Sequence, residues 1–221
     1  MNSLYIYGAS GHAKVVIDLA EKSGDWIIRG ILDDNPDLVG AELFGYPVLG
    51  GSRCVDRLDP LQDRILVAIG SNSVRRRIGR ELSARAFELP TLIHPSAVIG
   101  RSVAVGSGTV IMAGVIVNPA TRIGDLCILN TACTVDHDNQ LGDAVHVSPG
   151  AHLAGNVTVG EESWIGIGST VIEGRTIGAR CMVGGGAVVI GNVRDDTTVV
   201  GVPARPIAVG SRASLSKAGV V

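Results

Sequence analysis

The chain has 221 residues, and 19 Lys and Arg against 21 Asp and Glu give it a net charge of −2. This balance excludes a broad basic surface for nucleic acid or anionic lipid. No apolar run approaches the ~20 residues that a membrane helix needs, and the four cysteines form neither a CxxC pair nor a zinc-like spacing. The sequence therefore predicts a cytosolic protein that binds no nucleic acid, membrane or metal.

The first 88 residues alternate between strand and helix patterns. Strands are predicted at residues 4–7, 26–32 and 64–69 and near Val48, and helices at residues 13–22 and 72–85. Strands separated by helices indicate a small parallel sheet, and hence an α/β fold for this part of the chain.

A glycine-containing turn, residues 8–12, joins the first strand to the first helix and reads Gly-Ala-Ser-Gly-His. Its backbone N–H groups and the following helix N-terminus favour an anion such as a diphosphate. Asp33 and Asp34 end the second strand, where a Rossmann domain carries its ribose-binding acid. The turn is GxxG rather than GxGxxG, which argues against a dinucleotide site. A turn without a ligand stays open, and Asp34 is equally compatible with a turn role.

A six-residue repeat follows. Every sixth residue from Ile93 to Val189 is aliphatic, in seventeen consecutive hexads. Four residues after each aliphatic stands Ala, Val, Thr, Cys or Ser, with Asn139 and Arg175 as exceptions. The residue directly after the aliphatic is Gly in eight hexads, which we interpret as tight turns with positive φ. This period predicts a solenoid with three hexads in each 18-residue coil and two inward positions in each hexad.

The repeat resembles the left-handed parallel β-helix of the hexapeptide-repeat acyltransferases. Three cysteines occupy its small inward position and are predicted to fill the core: Cys127, Cys133 and Cys181. After Val189 the regular coil is predicted to end, and the last ten residues are predicted to be mobile.

Four segments together resemble the NeuD/PglD family of sugar acetyltransferases: residues 5–12, 32–34 and 68–72, and Asn130-Thr131 leading to His137. The similarity covers nearly the whole chain. It implies a trimer that transfers acetyl from acetyl-CoA to the 4-amino group of a nucleotide-linked 4-amino-4,6-dideoxy sugar, for surface glycan or glycoprotein synthesis. Other members O-acetylate sialic acid.

The resemblance also implies roles for individual residues. His137 would be the general base, with Asp138 where relatives usually carry Glu. The nucleotide sugar would be held by Ser10, Gly11, His12, Asp33, Asp34 and Gly70, and acetyl-CoA by His146, Ile167 and Gly185. The domains would then be a Rossmann-like nucleotide-sugar-binding domain (1–88), a β-helix that binds acetyl-CoA and carries the catalytic base (89–206) and a C-terminal tail (207–221).

His137 and His146 both stand outside the inward positions of the repeat, so neither is expected in the core. Nine residues, half a coil, separate them, which predicts different sides of the solenoid and an active site between subunits. Asp136 and Asp138 flank His137 and are expected to raise its pKa. The sequence leaves open which of them contacts the ring, because a direct Asp138 contact requires corner geometry. No cysteine or serine has a base partner in the sequence, so direct attack without an acyl-enzyme is expected.

Three other functions are compatible with this sequence. The first is an O-acetyltransferase for sialic acid or another sugar, which would share the fold, donor and base. The second is a non-catalytic sugar-binding protein. The third is a β-helix of the carbonic anhydrase kind, with zinc held by His137, His146 and His152, although the motif around His137 argues against it.

Overall fold

The computed structural model describes residues 2–208, and the tail segment predicted to be mobile lies outside them. Within the described part, no helix has both the length and the apolar character needed to cross a membrane. The chain forms an N-terminal α/β domain followed by a long parallel β-helix.

The N-terminal domain is a five-stranded sheet with helices between its strands. Its elements are β1 (Asn2–Tyr7), α1 (Gly11–Ser23), β2 (Trp26–Leu32), a 3₁₀ turn (Pro36–Leu38), β3 (Glu42–Leu43), β4 (Tyr46–Gly50), α2 (Ser52–Val55), β5 (Asp63–Val67) and α3 (Asn72–Ala84). The strand order is β3-β4-β2-β1-β5, and all neighbours are parallel except β3 and β4. The turns after β1, β2 and β5 therefore meet at one edge of the sheet.

Helix α1 buries one apolar face. In α1 the buried residues recur at helical spacing, from Ala13 through Val16 and Ile17 to Ala20, and they join the core beneath β1. Gly24 ends the helix in the left-handed region at φ 73°, a conformation that glycine adopts without strain.

The β-helix has three faces built from two-residue parallel strands. The first face contains β7 (Val98–Ile99), β10 (Ile116–Val117), β13 (Thr134–Val135), β16 (His152–Leu153), β19 (Thr170–Val171) and β22 (Val188–Val189). The second contains β8 (Ala104–Val105), β11 (Arg122–Ile123), β14 (Gln140–Leu141), β17 (Thr158–Val159) and β20 (Thr176–Ile177). The third contains β6 (Leu92–Ile93), β9 (Val110–Ile111), β12 (Ile128–Leu129), β15 (His146–Val147), β18 (Trp164–Ile165), β21 (Met182–Val183) and β23 (Thr198–Val200), with β24 (Arg205–Ile207) antiparallel at its end.

From β6 to β22, paired residues on neighbouring strands are eighteen positions apart, as the hexad repeat predicts. The spacing falls to sixteen between β21 and β23, where the regular repeat has ended. The three cysteines of the repeat are buried as predicted. Of the two exceptions at the small inward position, Arg175 is partly exposed, whereas Asn139 is fully buried.

The interpretation of the eight repeat glycines was wrong. Positive φ occurs two residues later, at every sixth position from Ser102 to Gly186, where φ lies between 54 and 69°. At the eight glycines an added Cβ would lie 2.4–2.7 Å from an atom of the next coil, such as the backbone N of Ala179 for Gly160. These residues are glycine because adjacent coils approach too closely for a side chain.

The N-terminal domain packs on the third face of the β-helix and on the corner that leads into it. Helix α1 contacts β6, and the outward residues Leu92, Val110 and Ile128 are at most 2% exposed. On the first face the outward residues Val98 and Ile116 are exposed. The N-terminal domain therefore covers outward residues of the third face and leaves the first face exposed.

A buried arginine joins the two parts of the chain. Arg75 of α3 is 1% exposed, and its guanidinium donates to the carbonyls of Leu126 (2.7 Å) and Ala144 (3.0 Å) in the β-helix. It also donates to the carbonyls of Ile69 (2.9 Å) and Gly70 (3.1 Å) in the turn after β5. The position of that turn is thereby tied to the β-helix.

Candidate active site

The turn after β1 is held by the ends of its neighbouring strands. Gly8 has φ 115°, and an added Cβ there would lie 2.8 Å from the Ala68 carbonyl oxygen, so only glycine fits. The Ala9 N–H donates to Asp33 Oδ2 (2.8 Å). Around Gly11 and Gly70, by contrast, nothing lies within 4 Å of an added Cβ. This open space lies where the strand order reverses between β1 and β5, the usual ligand position in such sheets.

The two acids at the end of β2, Asp33 and Asp34, both accept hydrogen bonds from backbone N–H groups. Asp33 Oδ1 accepts from the Asn35 N–H (2.9 Å), in addition to the bond from Ala9. Asp34 accepts from the Tyr7 hydroxyl (2.6 Å) and the Ser52 N–H (2.8 Å). Burial opposes ionisation of Asp34, but these hydrogen bonds outweigh it and hold its pKa below the ordinary value. The acids therefore shape the loops around the open space, and their contact with a nucleotide stays a prediction.

His146 is buried, so the expectation that it lies outside the core was wrong. Its side chain is covered because the third face carries the N-terminal domain, and the residue is 6% exposed. Its ring packs against Trp164 at a centroid distance of 4.7 Å, and its Nε2 accepts from the Asn130 amide (3.2 Å). The apolar outward residues at 92, 110 and 128, eighteen apart on the same face, were the sequence signal for this burial.

His12 and His146 both have a lowered pKa, and burial and the positive charge of Arg75 contribute to each. Burial and then the Arg75 guanidinium lower the pKa of His12 to about 4. Burial, Arg75 and His12 lower the pKa of His146 to about 3. The His146 Nδ1 has no hydrogen-bond partner among the described residues. The glycine-containing turn and the third face thus meet near a pair of neutral imidazoles.

His137, unlike the buried His146, is exposed and lies at the corner between the first and second faces. Its Nδ1 donates to Asp138 Oδ2 (2.8 Å), and the ring is half-exposed. The hydrogen bond to Asp138, followed by the charges of Asp136, Asp138 and Glu173, raises the pKa of His137 above its ordinary value. The ring lies over Gly155, where an added Cβ would be 2.7 Å from Nε2.

The corner geometry decides which acid contacts the ring. Asp138 has φ 59°, which turns its carboxylate back towards His137. Asp136 instead accepts from the Asn118 amide (2.7 Å) and from the His137 N–H (2.9 Å). The expected rise in pKa is therefore confirmed in direction, with Asp138 as the direct partner.

The structure separates the predicted site residues into distinct regions. Ile167 and Gly185 stack at the corner between the third and first faces, and a Cβ added at Gly185 would lie 3.1 Å from Ile167 Cγ2. His146 lies on the third face, beside the turn that contains His12. His137 lies on the edge opposite that face, and half a coil separates it from His146 around the axis. One chain does not bring His137 to the other predicted site residues.

The third histidine of the zinc alternative has a hydrogen-bond partner. His152 Nδ1 lies 2.9 Å from the Thr134 hydroxyl on the first face. Across residues 2–208 no group of three His, Cys, Asp or Glu side chains is arranged to hold a metal ion.

Comparison with known proteins identifies relatives of this arrangement. The sequence profile of the PglD N-terminal domain matches residues 3–82. A UDP-N-acetylbacillosamine N-acetyltransferase of Bacillus subtilis (strain 168) is 40% identical over 115 residues, or 51% of this chain and 52% of that protein, so the match spans about half of each. A GDP-perosamine N-acetyltransferase of Escherichia coli O157:H7 is 31% identical over 162 residues, which are 71% of this chain and 72% of that protein. The chain belongs to the NeuD/PglD family of sugar acetyltransferases.

Solved structures of NeuD/PglD-like enzymes share the whole architecture. The acetyltransferase domain of PglB from Neisseria gonorrhoeae FA1090, in complex with acetyl coenzyme A, has a TM-score of 0.88 at 41% identity and covers 94% of this chain and 100% of its own. PerB from Caulobacter crescentus, in complex with CoA and GDP-perosamine, has a TM-score of 0.89 at 41% identity and covers 94% and 98%. The predicted family and the predicted two-part fold are confirmed.

Proposed function

We propose that this protein is an acetyl-CoA-dependent N-acetyltransferase that acts on the 4-amino group of a nucleotide-linked 4-amino-4,6-dideoxy sugar, for surface glycan or glycoprotein synthesis. The observation that carries the proposal is the exposed His137 ring, whose Nδ1 is held by Asp138. The relatives support the substrate class, because the names of the bacillosamine and perosamine enzymes specify N-acetyltransfer to nucleotide-linked amino sugars.

His137 is suited to act as a general base. With Nδ1–H donated to Asp138, Nε2 is the free nitrogen that can take a proton. The neutral sugar amine attacks the thioester carbonyl carbon of acetyl-CoA, and Nε2 removes the proton from that nitrogen as the C–N bond forms. The C–S bond then breaks, and CoA leaves as a thiolate that is protonated in turn. The amide and free CoA are the products.

Direct attack is also supported by the state of the core cysteines. Burial raises the pKa of both Cys127 and Cys133 to about 12, so neither supplies a thiolate near neutral pH. An acyl-enzyme on these residues is therefore disfavoured.

The proposed acceptor site is the open space at the turns after β1 and β5. There the N–H groups at the start of α1 would meet the diphosphate, with Ser10, Gly11 and His12 at the turn and Gly70 across from it. Asp33 and Asp34 would read the base or ribose from the end of β2. Acetyl-CoA would lie along the corner of Ile167 and Gly185 and reach His146.

We propose a homotrimer in which each site is shared by two subunits. A sugar held by the N-terminal domain lies on the side of the third face, whereas His137 of the same chain lies on the opposite edge. The sugar would therefore meet His137 of a neighbouring subunit. Acetyl-CoA and nucleotide sugars are cytosolic metabolites, so the proposed reaction belongs in the cytosol.

The reaction is tested by release of CoA thiol from acetyl-CoA with UDP-, dTDP- and GDP-linked 4-amino sugars, beside free sialic acid. The expected result is turnover on one amino sugar and a loss of ~10²–10⁴-fold in His137→Ala, as for removal of a general base. Turnover on sialic acid alone would replace N- by O-acetylation. Silence across the panel would refute an enzymatic role on these substrates.

Shared sites are tested with two variants that the proposal expects to be inactive, His137→Ala and Gly11→Val, which are mixed through denaturation and joint refolding. Because each variant retains one intact half, random mixing restores about a quarter of the sites if they lie between subunits. No recovery from the mixture, with recovery in refolded wild type, would place the whole site within one chain.

A further inference from the structure

Asn139 is the one amide at the small inward position of the hexad repeat, and it is fully buried. Its Nδ2 lies within hydrogen-bond distance of three carbonyl oxygens: Asp136 (2.6 Å), His137 (3.3 Å) and Ala154 (2.9 Å). Its Oδ1 accepts from the Val157 N–H (3.2 Å). The amide is therefore satisfied inside an otherwise apolar core.

Part of this pattern is common to hydroxyl residues at the same inward position. Thr109 donates to the Gly124 carbonyl, fifteen residues ahead, and accepts from the Cys127 N–H, eighteen ahead. Thr121 and Ser163 make the corresponding pairs of bonds. Asn139 repeats this pair with Ala154 and Val157, so a hydroxyl would suffice to link the coils.

A hydroxyl has one proton to donate, and at this inward position it either bonds the next coil or, as Ser169 does with the Gly166 carbonyl (2.7 Å), bonds its own corner. The longer amide of Asn139 does both, because it also reaches the two carbonyls of the corner that presents His137. Asp138 has the positive φ (59°) that is common to the corners of the repeat, and at this corner its carboxylate lies 2.8 Å from the imidazole Nδ1. The Asp136 carbonyl receives Asn139 Nδ2 and also the Thr121 hydroxyl (2.8 Å). Rotation of the peptide groups at 136–138 is thus resisted from inside the β-helix.

We propose that Asn139 is a positioning residue that orients the general base, holding the corner carbonyls so that the imidazole of His137 stays paired with Asp138. The inference rests on the proposed function of His137. It assigns the amide a task in the reaction, because a merely structural link between coils requires only threonine or serine at this position.

The test compares Asn139→Thr with Thr109→Val. Asn139→Thr keeps the two bonds between coils and removes the corner bonds, and Thr121, one coil earlier in the same inward column, shows that threonine fits there. Thr109→Val removes inward bonds at the Gly124 corner, away from His137. Asn139→Val serves as a second variant if threonine impairs folding, because valine stands one coil later in the same inward column, at Val157, and cannot donate to the corner.

For Asn139→Thr we expect kcat to fall about tenfold, with the KM of both substrates within twofold, because displacement of a base weakens the chemical step. In an NMR titration the pKa of His137 should move down towards 6.5, since the Asp138 contact loosens while Asp136, Asp138 and Glu173 all remain. Thr109→Val should lose stability but keep its kcat and its His137 titration.

The outcomes separate the two proposals. If His137→Ala is inactive while Asn139→Thr keeps kcat within twofold and an unshifted His137 titration, the positioning role is refuted and the base stands. If His137→Ala retains activity, the proposed base is wrong and the role of Asn139 falls with it. Equal losses of kcat in Asn139→Thr and Thr109→Val would assign the effect to general destabilisation of the β-helix.

Discussion

Three consecutive arginines at the start of α3 offer a graded test of how the N-terminal domain is held. Arg75 is fully buried and donates to five acceptors, of which Asn72 Oδ1 and the Leu126 and Ala144 carbonyls lie deepest. Arg76 is 11% exposed and pairs with Glu161 and Glu162 of the β-helix. Arg77 is 61% exposed, and among residues 2–208 its ion pair is with Glu81 of the same helix.

Replacing each arginine by methionine should cost different amounts of stability. For Arg75→Met, three buried acceptors lose their donor at roughly 1–3 kcal/mol each, and relief of the buried charge offsets part of this, which leaves about 4 kcal/mol. Arg76→Met should cost about 1 kcal/mol, because its ion pairs are partly exposed. Arg77→Met should cost about 0.3 kcal/mol, as for an exposed pair one helical turn apart.

The measurement is urea unfolding followed by far-UV circular dichroism, at one protein concentration for all variants. Arg75→Lys separates charge from geometry, because it keeps the cation but loses the planar fork, and it should be nearly as unstable as Arg75→Met. An Arg75→Met protein within about 1 kcal/mol of Arg77→Met would refute the reasoning that satisfied buried carbonyls hold the two parts together.

Two further predictions concern the His137 corner. Asp138→Asn removes the main cause of the raised His137 pKa, so the acid limb of kcat/KM, where the imidazole becomes protonated, should move to lower pH; an unmoved limb in pH–rate profiles would contradict this assignment. Gly155→Ala places a Cβ against the ring, 2.6 Å from Cε1, and should lower kcat by ~10²-fold through displacement of the base. Gly191→Ala, where an added Cβ meets nothing within 4 Å, is the matched control, and equal kcat in both variants would show that the ring accommodates the methyl group.

The β-helix could be predicted from sequence because its defining pattern lies within each hexad. An inward aliphatic and a small second residue determine the strand and the corner locally, so the period alone predicts neighbours eighteen residues apart. In the α/β domain, the predicted strand 26–32 matches β2 and the predicted helix start at residue 72 matches α3. Strand β3 and helix α2 were not predicted, because two and four residues are too few to show a period.

The parts that sequence analysis did not predict depend on contacts between distant segments. His146 has an outward position in its hexad, and only the domain packed on the third face makes it buried. The eight repeat positions are glycine because neighbouring coils approach closely there, and no single hexad reveals that distance. In the sequence Asn139 is visible only as an exception to the hexad pattern, because its partners at residues 136, 137, 154 and 157 become neighbours only in the folded coil.

The hexad repeat has no insertion from Ile93 to Val189. The residue number alone therefore gives both the face on which a side chain lies and its height along the axis of the β-helix. One coil of eighteen residues advances a side chain by ~4.8 Å along the axis and returns it to the same face. An extra hexad between Asn130 and His137 would carry the base a third of a turn to another edge, whereas a whole extra coil would only raise it. Length changes in this region are therefore tolerable in steps of eighteen residues, whereas a shift of six would move His137 away from the sugar in the proposed shared site.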